Sequence, residues 1–234
     1  MNREYHHWIS PNLGRSMETL VFGHAGAPVL VFPTTMGRFY QYEDFGMVAA
    51  LERKIDQGLI QLYCLDSVDA ESWYNRAVPP RQRVLRHLNY ERYILDEYLP
   101  FVRGRASDAL LVTGTSFGAF QAVNFAFRQP ELISKVIALS GRYDTKTFMD
   151  GYHDDDVYFN CPVDYIPNLS DQAYLEPMRR MRIVLLSGEH DIALSSTRVV
   201  SAALTKIGVP HELEIWWDRT HDWPMWREAI PHYL

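Results

Sequence analysis

The chain has few cysteines, no long apolar run and no excess of basic charge, and each shortage excludes a class of protein. Its two cysteines, Cys64 and Cys161, belong to no CxxC pair or Cys/His cluster, so free thiols are expected rather than a disulfide framework or a zinc site. No stretch is long enough to cross a bilayer, and residues 1–8 lack the apolar core of a signal peptide. The 23 basic and 29 acidic residues are interspersed, which excludes a basic stripe for nucleic-acid phosphates.

What remains is a chain that can bury a substantial core. With 234 residues and 47% hydrophobic content, it is interpreted as one domain over residues 1–234. Because neither a membrane nor a nucleic-acid partner is indicated, we expect a soluble cytoplasmic protein. Removal of a leader from a longer precursor and assembly into a homo-oligomer are both left open by the sequence.

Apolar runs and helical periodicity alternate along the chain. Short apolar runs bounded by turn residues predict strands, and the spacing of apolar residues predicts helices between them. The predicted strands are 4–9, 16–22, 29–32, 59–65, 109–113, 133–139, 183–186 and 213–217, the first two forming an antiparallel hairpin. The predicted helices are 43–56, 82–99, a helix that ends before residue 130, and 195–207. Residues 141–180 lack clean periodicity and are predicted to form an irregular, cap-like excursion over the active-site face.

This alternation indicates the α/β class. Strands that alternate with helices form a mostly parallel sheet with helices on both faces. Such sheets bind ligands at the carboxyl ends of their strands. Candidate chemistry is therefore expected directly after predicted strands.

The sequence Gly-Thr-Ser-Phe-Gly at residues 114–118 lies between a predicted strand and a predicted helix. Glycines on both sides of a serine allow the tight strand-to-helix turn called a nucleophile elbow, which lifts the serine hydroxyl above the sheet. Ser116 is therefore the candidate nucleophile. An ordinary residue of a tight glycine turn is the structural alternative.

A serine nucleophile needs a base, and the base needs an acid that fixes its tautomer. In α/β-hydrolases the chain order is serine, acid, histidine. His221 follows the last predicted strand, and Asp191 follows the strand at 183–186, so they are the candidate base and acid. Glu189 stays open as an alternative acid, and His221 could instead be a structural neighbour of a helix N-cap.

The oxyanion formed during acyl transfer needs preorganised donors. The backbone N–H of Phe117, directly after the nucleophile, is one candidate, and the N–H of Thr35, in the loop after strand 29–32, is the other.

Trp73 is a candidate substrate-binding residue, with simple packing as its alternative. The acidic run at 153–156 is interpreted as solvated or helix-capping, so neither a metal nor another cofactor is expected.

Four segments together resemble the putative esterase family of α/β-hydrolases. They are Gly-Thr-Ser-Phe-Gly-Ala at 114–119, Val-Leu-Val-Phe-Pro-Thr at 29–34, Asp-Ala-Glu-Ser-Trp-Tyr at 69–74 and His-Asp-Trp-Pro at 221–224. The family includes esterase D (S-formylglutathione hydrolase), antigen 85 mycolyltransferases, enterochelin esterases and feruloyl esterases. The resemblance implies an α/β-hydrolase fold with a triad of Ser116, Asp191 and His221. The chain departs from the glycine-rich loop of many relatives, since Thr35 and Met36 precede Gly37.

These observations predict a serine esterase that hydrolyses a small-molecule carboxylic ester through an acyl-enzyme. An acyltransferase with the same triad, in which an alcohol replaces water, is the first alternative. A hydrolase fold used only for binding is the second.

Overall fold

The computed structural model describes residues 1–105 and 110–234. Within these residues, eight strands form one sheet in the order β1-β2-β4-β3-β5-β6-β7-β8. They are β1 (Arg3–Ser10), β2 (Arg15–Phe22), β3 (Ala27–Phe32), β4 (Ile60–Leu65), β5 (Leu110–Thr115), β6 (Ile133–Leu139), β7 (Arg182–Gly188) and β8 (Glu212–Trp216). Each corresponds to a predicted strand, although residue 109 of the fifth prediction lies outside the described residues.

Helices connect the strands from β3 onward. They are α1 (Gln41–Asp44), α2 (Met47–Ala50), α3 (Glu52–Asp56), α4 (Pro80–Tyr93), α5 (Leu99–Arg103), α6 (Phe117–Arg128), α7 (Asp155–Tyr158), α8 (Pro162–Tyr165), α9 (Gln172–Arg180), α10 (Leu194–Lys206) and α11 (Trp223–Tyr233). A π-helical turn, Ile94–Tyr98, joins α4 to α5, and 3₁₀ turns lie at Lys146–Phe148 and Ile166–Asn168. No described helix is long and apolar enough to cross a membrane.

The sheet is antiparallel at its first edge and parallel elsewhere. β1 pairs antiparallel with β2, and β2 pairs antiparallel with β4. The remaining pairs, from β4 and β3 through to β7 and β8, are parallel. The predicted mostly parallel sheet with an N-terminal antiparallel hairpin is confirmed.

Successive residues of β3 enter two separate cores. Leu30 and Phe32 belong to the core beneath α4, α6 and α10, whereas Val29 and Val31 belong to the core beneath α2, α3 and α11. Because both faces of the strand are covered, its side chains are apolar at every position, and each fully buried one contributes roughly 1.5–3 kcal/mol. Helices therefore cover both faces, as the alternation of elements predicted.

The single helix predicted over 43–56 is wrong. The segment forms α1, α2 and α3. Gly46, which is left-handed with φ 74°, separates α1 from α2, and Leu51, with φ −103° and ψ 0°, separates α2 from α3. Glycine takes this conformation without steric cost. Apolar spacing continues across the break since all three helices pack on the same core.

The segment 141–180 has little regular structure, and what it has is short. The 3₁₀ turns, α7, α8 and α9 account for its elements. Asp154, from the acidic run, caps α7 by accepting a hydrogen bond from the N–H of Val157 at 2.8 Å, and its carboxylate also pairs with Arg81 at 2.7 Å. Cys64 and Cys161 are both buried free thiols.

Candidate active site

Ser116 occupies a strained turn between β5 and α6. Its φ of 56° and ψ of −119° lie where a residue with a side chain is rarely found. The turn is tight enough that a Cβ on Gly114 would lie 2.2 Å from the carbonyl oxygen of Gly118, and one on Gly118 would lie 2.3 Å from that of Phe32. Both positions therefore require glycine. The N–H of Ser116 donates to the carbonyl of Leu139 at 2.8 Å, which fixes the turn to the end of β6.

Three side chains from distant parts of the chain meet at the carboxyl ends of the strands. The Oγ of Ser116 lies 2.9 Å from Nε2 of His221, and Nδ1 of His221 lies 2.8 Å from Oδ1 of Asp191. The structure thus brings together the three side chains that are the candidate nucleophile, base and acid. Glu189 instead accepts a hydrogen bond from the N–H of Asp218 at 3.3 Å, so it does not orient the imidazole.

The environment of Asp191 keeps its carboxylate ionised. Burial raises the pKa of Asp191, but the hydrogen bond with His221 opposes burial, and the net shift is downward. The nearby Ser140 hydroxyl and the N–H of Ala193, which donates to Oδ1 at 2.7 Å, act in the same direction. An ionised acid can accept the imidazole N–H and stabilise a positive charge on the ring.

Ser140 and Trp226 support this site and were missed by sequence reasoning. Ser140 directly follows β6 and has φ 61°, and its Oγ accepts a hydrogen bond from Nε1 of Trp226 at 2.8 Å. The ring of Trp226 stands edge-on to the imidazole of His221, with centroids 5.0 Å apart. A lone serine directly after a predicted strand matches no motif, so only the fold reveals its contact with Trp226.

The loop after β3 and the start of α6 each carry a backbone N–H that has no acceptor among the described residues. In the loop after β3, the N–H groups of Thr34, Met36 and Gly37 all donate hydrogen bonds. Within the described residues, the N–H of Thr35 has no acceptor, and neither has that of Phe117 at the start of α6. The elbow packs against the start of this loop, since a Cβ on Gly118 would lie 2.5 Å from the carbonyl oxygen of Pro33. Unpaired donors near a serine hydroxyl are what an oxyanion site requires.

A buried carboxylate links the two elements that carry these donors. Oδ2 of Asp69 accepts from the N–H of Met36 at 3.3 Å, and Oδ1 accepts from Nε2 of Gln121, on α6, at 2.9 Å. Burial raises the pKa of Asp69 to about 7, with the neighbouring Asp66 adding to the rise. Asp69 opens the segment at 69–74, but sequence reasoning singled out only Trp73 from it.

The raised pKa of Asp69 predicts that Asp69→Asn stabilises the protein more at alkaline pH. Between pH 4 and 7 the folded protein retains a proton that the unfolded chain releases, so the wild type loses stability as pH rises through this window. Asparagine does not titrate. The stability gained by the variant should therefore grow by about 3 kcal/mol between pH 5 and pH 8, measured by urea unfolding.

Glu91→Gln is the matched control for this prediction. Burial raises the pKa of Glu91, but its pairing with Arg128 and Gln129 outweighs burial and lowers the pKa below its ordinary value. Neutralising it should therefore cost more stability at pH 8 than at acid pH, the opposite trend. An Asp69→Asn difference that is constant or shrinks as pH rises would refute the assignment.

Next to Ser116, the side chains of Phe117, Tyr74 and Phe148 form an aromatic group. The ring of Phe117 packs edge-on against Tyr74, with centroids 5.3 Å apart, and against Phe148, at 5.7 Å. The hydroxyl of Tyr74 lies 3.2 Å from Oγ1 of Thr35. Trp73 is fully buried and packs beside Phe148, at 6.2 Å between centroids. The structure therefore places Trp73 behind this aromatic group, and its role in substrate binding stays a prediction.

Comparison with known proteins gives a family match and several similar folds. The family described as putative esterase matches residues 42–234. No curated protein matches the sequence.

Solved structures of esterases share the fold over nearly the whole chain. A ferulic acid esterase superposes with a TM-score of 0.79 at 16% identity, covering 99% of this chain and 95% of its own. An S-formylglutathione hydrolase from Staphylococcus aureus has a TM-score of 0.72 at 17% identity, covering 99% and 94%. The enterobactin esterase of Shigella flexneri has a TM-score of 0.69 at 20% identity, covering 100% of this chain and 58% of its own.

Proposed function

Because the chain belongs to the putative esterase family and is a hydrolytic enzyme that acts on esters, we propose that it is a serine esterase working through an acyl-enzyme on Ser116. Family membership confirms the resemblance that the four sequence segments suggested. The hydrogen-bonded chain from Ser116 through His221 to Asp191, with separations of 2.9 and 2.8 Å, is the observation that carries the proposal.

The proposed reaction begins with attack of Ser116 Oγ on the ester carbonyl carbon. Nε2 of His221 takes the hydroxyl proton, while Asp191 holds the ring by its Nδ1–H and stabilises the imidazolium. The carbonyl oxygen becomes an oxyanion, which receives hydrogen bonds from the N–H groups of Phe117 and Thr35. The imidazolium then gives its proton to the leaving alkoxide oxygen as the ester C–O bond breaks, leaving an acyl group on the serine.

Water completes the cycle by the same steps. His221 takes a proton from a water molecule as its oxygen attacks the acyl carbonyl, and returns that proton to Ser116 Oγ as the acyl bond breaks. The products are a carboxylic acid and the free enzyme. The substrate is a small-molecule ester, and the segment 141–180, whose Phe148 packs on Phe117, is proposed to shape the pocket beside it.

Turnover of aryl esters tests this proposal. We expect the purified protein to cleave short-chain aryl esters, with rates that change with acyl length as the aromatic group around Phe117 restricts the acyl chain. The measurement is release of the phenol across a panel of acyl lengths. A protein that leaves the whole panel intact would contradict an esterase, and would favour the fold serving only for binding.

Adding alcohols to the same assay separates hydrolysis from acyl transfer. Both reactions share the acyl-enzyme, so they differ only in which nucleophile reaches its carbonyl. Product analysis at increasing alcohol concentration should give mainly the carboxylic acid. Mainly a new ester at low alcohol concentration would identify an acyltransferase.

A further inference from the structure

The loop after β3 is fixed firmly at both ends. At its start, the N–H and the hydroxyl of Thr34 both donate to Oε1 of Gln41, at 2.9 and 3.0 Å. Towards its end, the carbonyl of Gly37 accepts from the Ser67 hydroxyl at 2.8 Å. Between these anchors, the N–H of Met36 donates to Asp69 at 3.3 Å, while the N–H of Thr35 has no acceptor within the described residues.

At the centre of the loop, the backbone of Met36 adopts a strained conformation. Its φ is 52°, in the left-handed region that non-glycine residues rarely adopt. Its side chain is 52% exposed, so packing of the side chain does little to hold the backbone there. Two hydrogen bonds hold it instead: the N–H of Gly37 donates to the carbonyl of Thr34 at 2.9 Å and closes the turn, and the N–H of Met36 donates to the buried Asp69 at 3.3 Å. The second bond fixes the middle of the turn to a residue outside the loop.

The other carboxylate oxygen of Asp69 is hydrogen-bonded to α6, the helix that follows Ser116. It is 1% exposed, and its second oxygen accepts from Gln121, a buried residue of α6. The same helix begins with Phe117, directly after Ser116. One carboxylate thus joins the strained loop that carries the Thr35 N–H to the helix that carries the Phe117 N–H.

We propose that Asp69 is a positioning residue that fixes the Thr35 N–H for the oxyanion by accepting the hydrogen bond of the next residue in the loop. The inference rests on the proposed esterase function and deepens it. Asp69 does not touch the substrate. Its role is to keep two donors, on separate elements, at a constant separation while charge develops on the substrate carbonyl.

The test compares two variants of Asp69 that differ in their ability to accept a hydrogen bond. Asp69→Ala removes the acceptor, so kcat for a short-chain aryl ester should fall by about 10- to 100-fold, less than the loss of a whole oxyanion donor, with KM nearly unchanged. Asp69→Asn keeps an acceptor for the Met36 N–H, and Gln121 can turn its amide to meet the new NH₂ group. Its kcat should stay within about threefold of the wild type.

The inhibition constant of a short-chain alkyl boronic acid provides a second readout, which a general loss of protein stability would not change. Its adduct with a serine places an oxygen where the oxyanion forms, so the inhibition constant should rise in parallel with the fall in kcat for Asp69→Ala, and not for Asp69→Asn. Glu97→Gln is the control. Glu97 is a carboxylate that accepts from Trp8 and Ser10 at the N-terminal hairpin, and its loss should leave kcat and inhibition unchanged.

The outcomes separate this inference from the proposed function. An Asp69→Ala variant with wild-type kcat and inhibition would overturn the positioning role, as would an Asp69→Asn variant as impaired as Asp69→Ala. If Asp69→Ala does not fold, Gln121→Met decides: a lower kcat at constant KM supports the role, and an unchanged kcat overturns it. Failure of the esterase proposal would appear differently, as activity retained by Ser116→Ala.

Discussion

Ser116→Ala should abolish esterase activity, with kcat for a short-chain aryl ester reduced by about 10⁴- to 10⁶-fold. Alanine removes the only atom that forms the acyl bond and leaves His221 without a proton to accept. Because Ser116 is held by its backbone in the turn between β5 and α6, loss of its hydroxyl should leave the fold intact. The measurement is steady-state kinetics on the purified variant, together with its thermal unfolding midpoint.

Ser195→Ala is the matched control for this substitution. Ser195 lies on α10, which follows β7 and Asp191, and its side chain is exposed. Its loss should change kcat by less than about twofold, as for most exposed positions. Turnover by Ser116→Ala at the wild-type rate would exclude Ser116 as the nucleophile.

Asp191→Asn should lower kcat by about 10⁴-fold while KM changes little. Oδ1 of Asp191 accepts both the Nδ1–H of His221 and the N–H of Ala193. An asparagine carries no negative charge to stabilise the imidazolium, and its NH₂ group can hold the ring in the wrong tautomer. Steady-state kinetics at a pH where the wild type is fully active measures the effect.

Glu189→Gln distinguishes Asp191 from the other acid of the same segment. Glu189 contacts the backbone of Asp218 rather than the imidazole, so its substitution should leave kcat within about twofold. A large loss in Glu189→Gln combined with a small one in Asp191→Asn would show that the acid was assigned to the wrong residue.

The sequence predicts those parts of the fold in which one strong local signal decides the structure. The buried parallel strand β3 is a continuous apolar run, and β7 contains one from Ile183 to Leu186, because both faces of each strand are covered. The elbow is visible since the turn needs glycine at 114 and 118. The order serine, acid, histidine then directs attention to Asp191 and His221, because each follows the end of a late strand.

Other features depend on contacts between distant residues and leave no local pattern. Apolar spacing over 43–56 suggested one helix, but breaks at Gly46 and Leu51 divide it into three, while the same core still receives the apolar side chains. Asp69 contacts Met36 and Gln121, which lie far from it in the chain, and nothing near Asp69 in the sequence indicates either partner. Ser140 is similar, since its partner Trp226 lies in the last helix.

The account depends on covalent catalysis by one hydroxyl, and trapping the acyl-enzyme tests it most directly. The wild type would be mixed with an aryl ester, quenched in acid within the first turnover, and its intact mass and peptide fragments measured. We predict a mass increase of one acyl group, located on Ser116 and absent from Ser116→Ala. An acyl group on any other residue, or the same adduct on Ser116→Ala, would contradict the mechanism.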